Sequence, residues 1–370
     1  MILHAPSLSP PRGRFAPSPT GRLHLGNAFA FLAAWLSIRR QGGRMVLRIE
    51  DIDPDRSRPE FVRAAMEDLA WLGLDWDEGP LEHPDGEIRG PRAEQPATFR
   101  ETGLFGPYIQ SLRLKRYEEI LTGLRERGLV YPCYCTRKEL RMLASAPHIG
   151  DEGAPYPGTC RTLSDNRQKE LEQSGRRPCL RLNTEAAARQ LNGGADTSLV
   201  LDFVDGVLGE QRFTMDDCGG DFALRRSDGV FAYQLAVTAD DADMGITEVV
   251  RGDDLLLSTP RQLLLFRLLG ATPPRYAHVP LLHDAAGERL AKRHKSLEIA
   301  ALRHAGARPR EVLARLGELA GCLDRPPEPT ESRAALLARM AAGFSLGRLK
   351  GRVLKLETDD ADTLTAAGPP

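Results

Sequence analysis

A stretch near the amino terminus, residues 14–36, contains side chains that could bind a phosphate. Its sequence, RFAPSPTGRLHLGNAFAFLAAWL, starts as a short strand, turns through proline and glycine, and continues as an apolar helix. The free N–H groups at a helix start favour a phosphate. His24 and Asn27 can both donate hydrogen bonds there, and Gly26 lets a flat base approach the backbone. The stretch is compatible with a nucleotide site, but from these residues alone a capped helix with a surface histidine is the more common explanation, because so short a motif recurs by accident.

Cysteines in the middle of the chain offer a second kind of chemistry. Cys133 and Cys135 lie in YPCYC, and Cys160 lies in YPGTC, within loops rich in proline and glycine. Three thiolates drawn together suit a tetrahedral zinc ion, which is structural when all four positions are filled. Tyr156 and His148 are the candidates for a fourth ligand, and histidine is chemically the more common. Free or buried thiols are the alternative.

The composition limits the class of protein. The chain has 370 residues, of which 41% are hydrophobic and 27% charged, so we expect a globular protein with more than one domain. No segment is apolar for long enough to span a bilayer, and no signal peptide is recognisable, which favours the cytoplasm and reduced thiols. The net charge of −1 means that any contact with nucleic acid must use local patches.

Alternating strands and helices are predicted to position these side chains, and this alternation favours a parallel α/β sheet. The predicted strands lie at residues 13–18, 44–50, 229–238 and 246–251. The predicted helices lie at residues 26–40, 59–72, 112–127 and 259–269. From residue 297 onward, short helices joined by proline-rich turns are expected.

The first motif resembles a known family. RFAPSPTGRLHLGN is similar to the first signature of the class I aminoacyl-tRNA synthetases, whose short form is His-Ile-Gly-His. It is more similar still to the glutamyl branch, in which Pro-Ser-Pro-Thr-Gly precedes His-x-Gly-Asn. The resemblance implies a Rossmann-like parallel-sheet catalytic domain that binds ATP with Mg²⁺, with His24, Gly26 and Asn27 at the nucleotide.

The resemblance also implies a second signature on a loop far downstream. In GERLAKRHKS, the RLAKR portion is similar to the Lys-Leu-Ser-Lys-Arg of the glutamyl branch, with Ala291 in place of the usual serine. Lys292 is then the expected ATP lysine, and Lys295 is the alternative. With His24 and Asn27, Lys292 would act in catalysis by donating to phosphate oxygens. Alone, such a basic run would predict a solvated helix end.

Two further segments resemble the amino-acid site of the same branch. RIEDID is similar to Arg-x-Glu-Asp-Thr-Asp and places Glu50 at the end of a strand. At that position Glu50 can hold an α-ammonium group. The alternative is an ordinary run of charges that caps the next helix. Residues 231–262 are similar to the second half of the catalytic domain. The glutamate contacts of the family match Arg14, Phe15, Ala16, Pro17, Ser18, Tyr233 and Arg251. Since guanidinium groups bind carboxylates in a bidentate manner, the two arginines favour a dicarboxylic substrate.

The cysteine pattern narrows the resemblance to the glutamyl-Q tRNA(Asp) synthetases, in which Cys-x-Cys is followed by Tyr-x-x-x-Cys. One structural Zn²⁺ would then be held by Cys133, Cys135, Tyr156 and Cys160. Only a short stem follows the second signature, where glutamyl-tRNA synthetases continue into an anticodon-binding region. The resemblance implies activation of L-glutamate without tRNA and its transfer to queuosine at the wobble position of tRNA(Asp). The alternatives are a truncated enzyme that charges the 3′ end of tRNA(Glu) and a non-catalytic RNA-binding paralogue.

These interpretations predict a division of the chain. The predicted parts are a first catalytic half at residues 12–130 with a surface insertion at 85–107, a zinc-bearing acceptor-type insertion at 131–220, a second catalytic half at 221–283, a second-signature loop and helical stem at 284–357, and a disordered tail at 358–370. Cys179, Cys218 and Cys322 are expected to be ordinary core or loop cysteines. We expect a monomer.

Overall fold

The computed structural model describes residues 10–81, 100–136, 138–140, 156–284, 286–288, 290, 297–356 and 364. Several predictions concern other residues. The lysines Lys292 and Lys295, the alternative ligand His148, residues 85–99 of the insertion, and the tail except for residue 364 lie outside the described part of the chain.

Strands and helices alternate along most of the described chain. The strands are β1 (Arg12–Phe15), β2 (Arg44–Leu47), β3 (Gly79–Leu81), β4 (Arg100–Thr102), β5 (Val130–Cys133), β6 (Cys179–Leu182), β7 (Val200–Asp205), β8 (Gly209–Thr214), β9 (Ala223–Arg225), β10 (Glu248–Gly252), β11 (Arg275–Val279), β12 (Leu282–His283) and β13 (Leu354–Lys355). The α-helices are α1 (Leu25–Arg40), α2 (Pro59–Leu72), α3 (Leu114–Glu126), α4 (Asp165–Gln173), α5 (Thr184–Asn192), α6 (Tyr233–Asp243), α7 (Ser258–Leu269), α8 (Ile299–His304), α9 (Pro309–Ala320) and α10 (Arg333–Gly343). None of these helices is long and apolar enough to cross a membrane.

Two parallel strand pairs meet at the centre of the fold. β1 pairs in parallel with β2, and β10 pairs in parallel with β11. The amino-terminal ends of β1 and β10 lie side by side, because the backbone N–H of Thr247 donates to the carbonyl oxygen of Arg12 over 2.9 Å. The carboxyl ends of β1 and β10 therefore meet at one edge, which is where ligands bind in open α/β sheets.

The helix α1 lies inside the molecule and points its amino terminus toward this edge. It packs against β1, β2 and β10, and also against α10. Its buried side chains are Leu25, Ala28, Phe29, Leu32, Ala33, Ala34, Trp35, Leu36, Ser37 and Ile38. A helix that is apolar on nearly every side is stable only within a core, so the start of α1 is held firmly beside the strand ends.

Antiparallel elements lie between the two parallel pairs in the sequence. β5, β6 and β9 form one antiparallel sheet, and β7 and β8 form a hairpin. The hairpin is joined to the parallel core where the backbone N–H of Gly206 donates to the carbonyl oxygen of Tyr276 on β11, over 2.9 Å. This contact places the end of β7 next to β11, the strand that pairs with β10.

One predicted strand is wrong. Residues 229–238 were expected to form a strand, but Tyr233–Asp243 is the helix α6. The helix is buried on several sides, with Leu235, Ala236 and Val237 in succession, so the sequence shows no amphipathic period from which a helix could be recognised. Within the described end of the predicted insertion, β4 pairs with β3 in antiparallel fashion.

Candidate functional site

A cavity of about 740 Å³ opens at the carboxyl ends of β1 and β10. The predicted residues that line it are Arg14, Ala16, Pro17, Ser18, His24, Gly26, Asn27, Glu50, Tyr233 and Arg251. Phe15 does not line the cavity, because its ring is fully buried in the core against Phe31. The volume falls within the range of about 300–1,000 Å³ that is typical of small-molecule sites. The two groups of predicted residues, at positions 14–50 and 233–251, thus share one cavity.

The start of α1 forms one end of the cavity. His24 is the N-cap residue, and its Nδ1 accepts a hydrogen bond from the backbone N–H of Gly26 over 3.1 Å. The side-chain oxygen of Asn27 accepts from the backbone N–H of His24 over 3.2 Å, which completes a capping box. Since Nδ1 is an acceptor, the neutral ring of His24 carries its proton on Nε2. The cap therefore orients a donor at the helix start, where a phosphate would bind.

Gly26 lies in close contact with the same cap. A Cβ atom at this position would lie 3.0 Å from the ring atoms Nδ1 and Cε1 of His24, which is closer than side chains normally approach. The absence of a side chain thus lets the histidine ring fold over the first turn of α1. Gly26 also lines the cavity, and the approach of a flat base to it stays a prediction.

The described residues on both sides of residues 291–296 lie next to this end of the cavity. Leu290 lines the cavity, and its backbone N–H donates to the carbonyl oxygen of Leu282 over 2.9 Å. Glu298 forms a β-bridge with His24, and the backbone N–H of Ile299 donates to Leu23. Leu290 and residues 298–299, the described residues that flank this stretch, therefore lie near the first signature motif.

A network of buried charges forms the other end of the cavity. The fully buried guanidinium of Arg48 bonds to Oδ1 of Asp241 over 2.6 Å and to Oε1 of Glu50 over 3.0 Å. Asp241 also lies 3.4 Å from Nε of Arg14. Burial raises the pKa of Glu50, while the charges of Arg48 and Arg14 oppose that rise. The network holds one anion, Glu50, and one cation, Arg14, at fixed places on the cavity wall.

Arg251 has a different environment from the other arginines of the site. Its side chain is buried, and its guanidinium donates to neutral acceptors on Tyr233, Leu255, Thr259, Gln262 and His278. Among the described residues, no carboxylate lies within ion-pair distance of it. A buried cation without a counterion is unfavourable, so this position suits an anionic group of a ligand.

Four residues of the site, Arg48, Asp241, Asp205 and His278, were not predicted from the sequence. Asp241 lies in VTADDAD, where two adjacent carboxylates interrupt an apolar run, and that interruption was the available signal. His278 and Asp205 belong to separate strands and meet only in the folded chain.

The predicted cysteines form a cluster outside the cavity. The Sγ atoms of Cys133, Cys135 and Cys160 lie within 4.8 Å of one another, with 3.5 Å between those of Cys135 and Cys160. Oη of Tyr156 lies 3.3 Å from Sγ of Cys133. Zinc–sulfur bonds of about 2.3 Å place tetrahedral sulfurs roughly 3.8 Å apart, so the three thiols fit such an ion.

An arginine side chain lies against the cluster, and the thiols are partly or fully buried. The guanidinium of Arg181 lies 4.0 Å from the ring centre of Tyr156. Burial and the neighbouring Cys133 raise the pKa of Cys135 to about 12, and a bound cation would favour its thiolate. Of the other described cysteines, Cys218 and Cys322 are buried elsewhere and Cys179 is half-buried, and none joins the cluster.

The sequence matches the family described as tRNA synthetases class I (E and Q), catalytic domain, over residues 12–324. The chain belongs to this family of ATP-dependent ligases. The predicted fold class is confirmed to this extent, since the chain has the class I catalytic fold.

Three known proteins illustrate the similarity. The chain is 57% identical to the glutamyl-Q tRNA(Asp) synthetase of Nitratidesulfovibrio vulgaris (strain Hildenborough), across 84% of this chain and 87% of that protein. It is 47% identical to the glutamyl-Q tRNA(Asp) synthetase of Symbiobacterium thermophilum, across 85% of this chain and 88% of that protein. The crystal structure of the glutamate-tRNA synthetase of Elizabethkingia anophelis superposes with a TM-score of 0.71 at 23% identity, across 96% of this chain and 70% of that one, which shows the shared fold.

Proposed function

We propose that the protein activates L-glutamate with ATP in the absence of tRNA and transfers the glutamyl group to queuosine at the wobble position of tRNA(Asp). The observation that supports glutamate as the substrate is Arg251, a buried guanidinium without a carboxylate partner among the described residues, in one cavity with Glu50 and His24. The relatives named glutamyl-Q tRNA(Asp) synthetase, at 57% and 47% identity, support the transfer step.

The charged end of the cavity binds the amino acid. Glu50 holds the α-ammonium group, while Arg14 and Arg251 attract the two carboxylates. Tyr233 and the backbone of residues 15–18 complete the contacts. Glutamine would leave a buried arginine without its anion, and a site of this kind rejects the wrong ligand by several powers of ten.

The chemical step needs no nucleophile from the protein. An α-carboxylate oxygen of glutamate attacks the α-phosphorus of ATP, the bond to the β-phosphate oxygen breaks, and glutamyl-adenylate and pyrophosphate form. ATP enters with Mg²⁺. Negative charge moves toward pyrophosphate, so donors from His24, Asn27, the start of α1 and Lys292 stabilise the transition state. Catalysis is then mainly placement and charge stabilisation.

The cysteine cluster holds one structural zinc ion. Cys133, Cys135 and Cys160 supply thiolates and Tyr156 supplies its phenolate oxygen. All four positions are then filled by the protein, which is typical of a zinc ion that stabilises a fold and takes no part in chemistry. We place this ion in an insertion at residues 131–220, between catalytic halves at 12–130 and 221–283 and ahead of a stem at 284–357. We further propose that the protein works as a cytoplasmic monomer.

Labelling of tRNA tests the function. The protein is incubated with labelled glutamate and ATP, and with tRNA(Asp) that contains or lacks queuosine. Label on the queuosine-containing tRNA alone, mapped to the anticodon stem, is the expected result. Equal labelling of both tRNAs would contradict the queuosine step. Label at the 3′ end of tRNA(Glu) would instead support a truncated glutamyl-tRNA synthetase, and no pyrophosphate exchange with glutamate would support a non-catalytic paralogue.

A further inference from the structure

A buried series of contacts links the β7–β8 hairpin to Arg251. Nδ1 of His278, on β11, lies 2.6 Å from Oδ2 of Asp205 at the end of β7. The guanidinium Nε of Arg251, on β10, donates to Nε2 of the same ring over 3.2 Å. The side chains of Asp205 and His278 have no solvent exposure. His278 therefore connects a buried carboxylate to Arg251, the arginine proposed to bind a carboxylate of the substrate.

These contacts define one tautomer of His278. The Nε–H of an arginine can only donate, so Nε2 of His278 must accept, and the ring proton lies on Nδ1. That proton is donated to Asp205. Burial lowers the pKa of His278, against the favourable charge of Asp205, and the nearby charge of Arg251 lowers it further. A neutral ring with its proton on Nδ1 is the form that supports Arg251.

The two oxygens of Asp205 have separate partners. Oδ1 accepts hydrogen bonds from the backbone N–H groups of Val207 and Leu208, each over 2.9 Å, and from that of His278 over 3.1 Å. Oδ2 faces the ring of His278. One oxygen thus shapes the hairpin turn, while the other orients the imidazole, so the two effects can be separated by substitution.

The contact at Nε is one of several that fix the plane of the Arg251 guanidinium. The terminal nitrogens bond to Thr259 over 2.7 Å and to Gln262 over 3.0 Å. Oγ1 of Thr259 also lies 3.1 Å from Nε2 of His278, so with Nε2 as the acceptor this hydroxyl donates to the ring. Because a guanidinium is rigid and planar, each acceptor helps to determine which of its edges faces the cavity. The ring of Tyr276 lies 5.1 Å away from it. A change at His278 would leave Nε without an acceptor.

We propose that Asp205 and His278 are positioning residues, which orient Arg251 and thereby set the affinity and selectivity for the side-chain carboxylate of the substrate. The proposal rests on the proposed function, since it takes Arg251 as a glutamate contact. The physical principle is that a buried carboxylate selects the histidine tautomer, and the tautomer selects the partner on the opposite side of the ring.

The variant Asp205→Asn tests the tautomer directly. Three backbone N–H groups hold the amide oxygen at the place of Oδ1, so the amide nitrogen faces Nδ1 of His278 and moves the ring proton to Nε2. A donor then faces the Nε–H of Arg251. We expect the KM for glutamate in tRNA-free pyrophosphate exchange to rise about 10- to 100-fold, as when a buried charged donor loses its acceptor. The KM for ATP should stay near the wild-type value, and calorimetry should show the same loss in glutamate affinity.

Two substitutions of His278 separate positioning from structural support. The amide oxygen of glutamine can reach the place of Nε2 and accept from Arg251. Asparagine can reach Asp205 but leaves Arg251 without its acceptor. We expect His278→Asn to raise the KM for glutamate as Asp205→Asn does, and His278→Gln to restore much of the affinity. A merely structural role would lower the Tm of both variants without separating their KM values.

A matched control lies at the other end of the same hairpin. Asp217 is exposed and accepts from the backbone N–H of Thr214. Asp217→Asn should leave the KM for glutamate unchanged. Wild-type KM and affinity for glutamate in folded Asp205→Asn and His278→Asn would overturn the proposal, and the proposed function would stand. A wild-type protein that does not exchange pyrophosphate with glutamate would instead contradict the proposed function itself.

Discussion

The two ends of the cavity are built by different means. At the end proposed for the amino acid (the amino-acid end), Arg48, Asp241 and Glu50 form a buried ionic network, and Arg251 is held by neutral acceptors. At the end proposed for ATP (the nucleotide end), His24 and Asn27 cap α1 through hydrogen bonds with its own backbone. Ion pairs define one end, whereas a helix terminus defines the other.

The difference indicates how each end would treat its ligand. Buried ion pairs fix their partners before a ligand arrives, so the amino-acid end is organised for one pattern of charge. A helix start offers N–H groups to any phosphate and discriminates little. We therefore expect selectivity to depend on the amino-acid end and the rate of phosphate chemistry on the nucleotide end.

Arg251→Gln should have the largest effect. The substitution keeps hydrogen-bond donors but removes the charge, so kcat/KM for glutamate in pyrophosphate exchange should fall about 10³-fold or more. The KM for ATP should change little. Arg212, an exposed arginine on β8, is the control, since Arg212→Gln should retain activity. Equal changes in the kinetic constants for glutamate and for ATP would contradict the functional distinction between the two ends.

Lys292→Ala should mainly affect the nucleotide end. Loss of one donor to the departing pyrophosphate should lower kcat about 10²- to 10³-fold with little change in the KM for glutamate. Lys295→Ala, three residues away in the same basic run, is the matched control and should be near wild type. A large loss of kcat in Lys295→Ala with near wild-type kcat in Lys292→Ala would make Lys295 the ATP lysine.

Cys135→Ala should affect neither end directly. Loss of a thiolate should release zinc, which can be measured by a metal-sensitive dye, and lower Tm by roughly 5–10 °C. Pyrophosphate exchange at a temperature where the variant is folded should decrease much less. A loss of exchange as large as that in Lys292→Ala would show that the cluster supports the cavity itself.

The smallest expected effect is a pH dependence of stability at Asp68, on α2. This side chain is fully buried, and neither carboxylate oxygen has a hydrogen-bond partner. Burial raises the pKa of Asp68 to about 7, despite the charges of Arg303 and Arg22. Between about pH 5 and 7 the folded chain then holds a proton that the unfolded chain has lost, so stability falls as pH rises, by at most about 1.4 kcal/mol per pH unit.

Asp68→Asn should remove this contribution. Urea unfolding at pH 5, 6 and 7 measures it, with Asp75→Asn as an exposed control. The slope with pH should become less negative in the Asp68 variant only. An unchanged slope would show that Asp68 is ionised in the folded chain.

Elements with a distinct local pattern could be predicted from the sequence. The predicted helix at 59–72 coincides with α2, which begins at Pro59 and ends before Gly73, a glycine with a positive φ of 79°. The strand predicted at 229–238 was wrong because α6 is buried on several sides, and its apolar residues show no helical period.

In the site, too, only residues with a local sequence pattern could be predicted. Residues within short motifs, such as His24 and Glu50, could be assigned from their local sequence and its family resemblance. Asp205 and His278 are 73 positions apart, and no local pattern joins them. Their contact depends on how the hairpin packs on β11, which only the folded structure shows.

Pyrophosphate exchange without tRNA is the most direct test of a cavity that joins ATP to a dicarboxylic amino acid. The wild-type protein should exchange with glutamate in the absence of any tRNA, and kcat/KM for glutamine should be lower by at least about 10²-fold. Equal exchange with glutamine, or exchange with glutamate only after tRNA is added, would contradict the assignment of the cationic end of the cavity to a side-chain carboxylate and the proposal that activation is independent of tRNA.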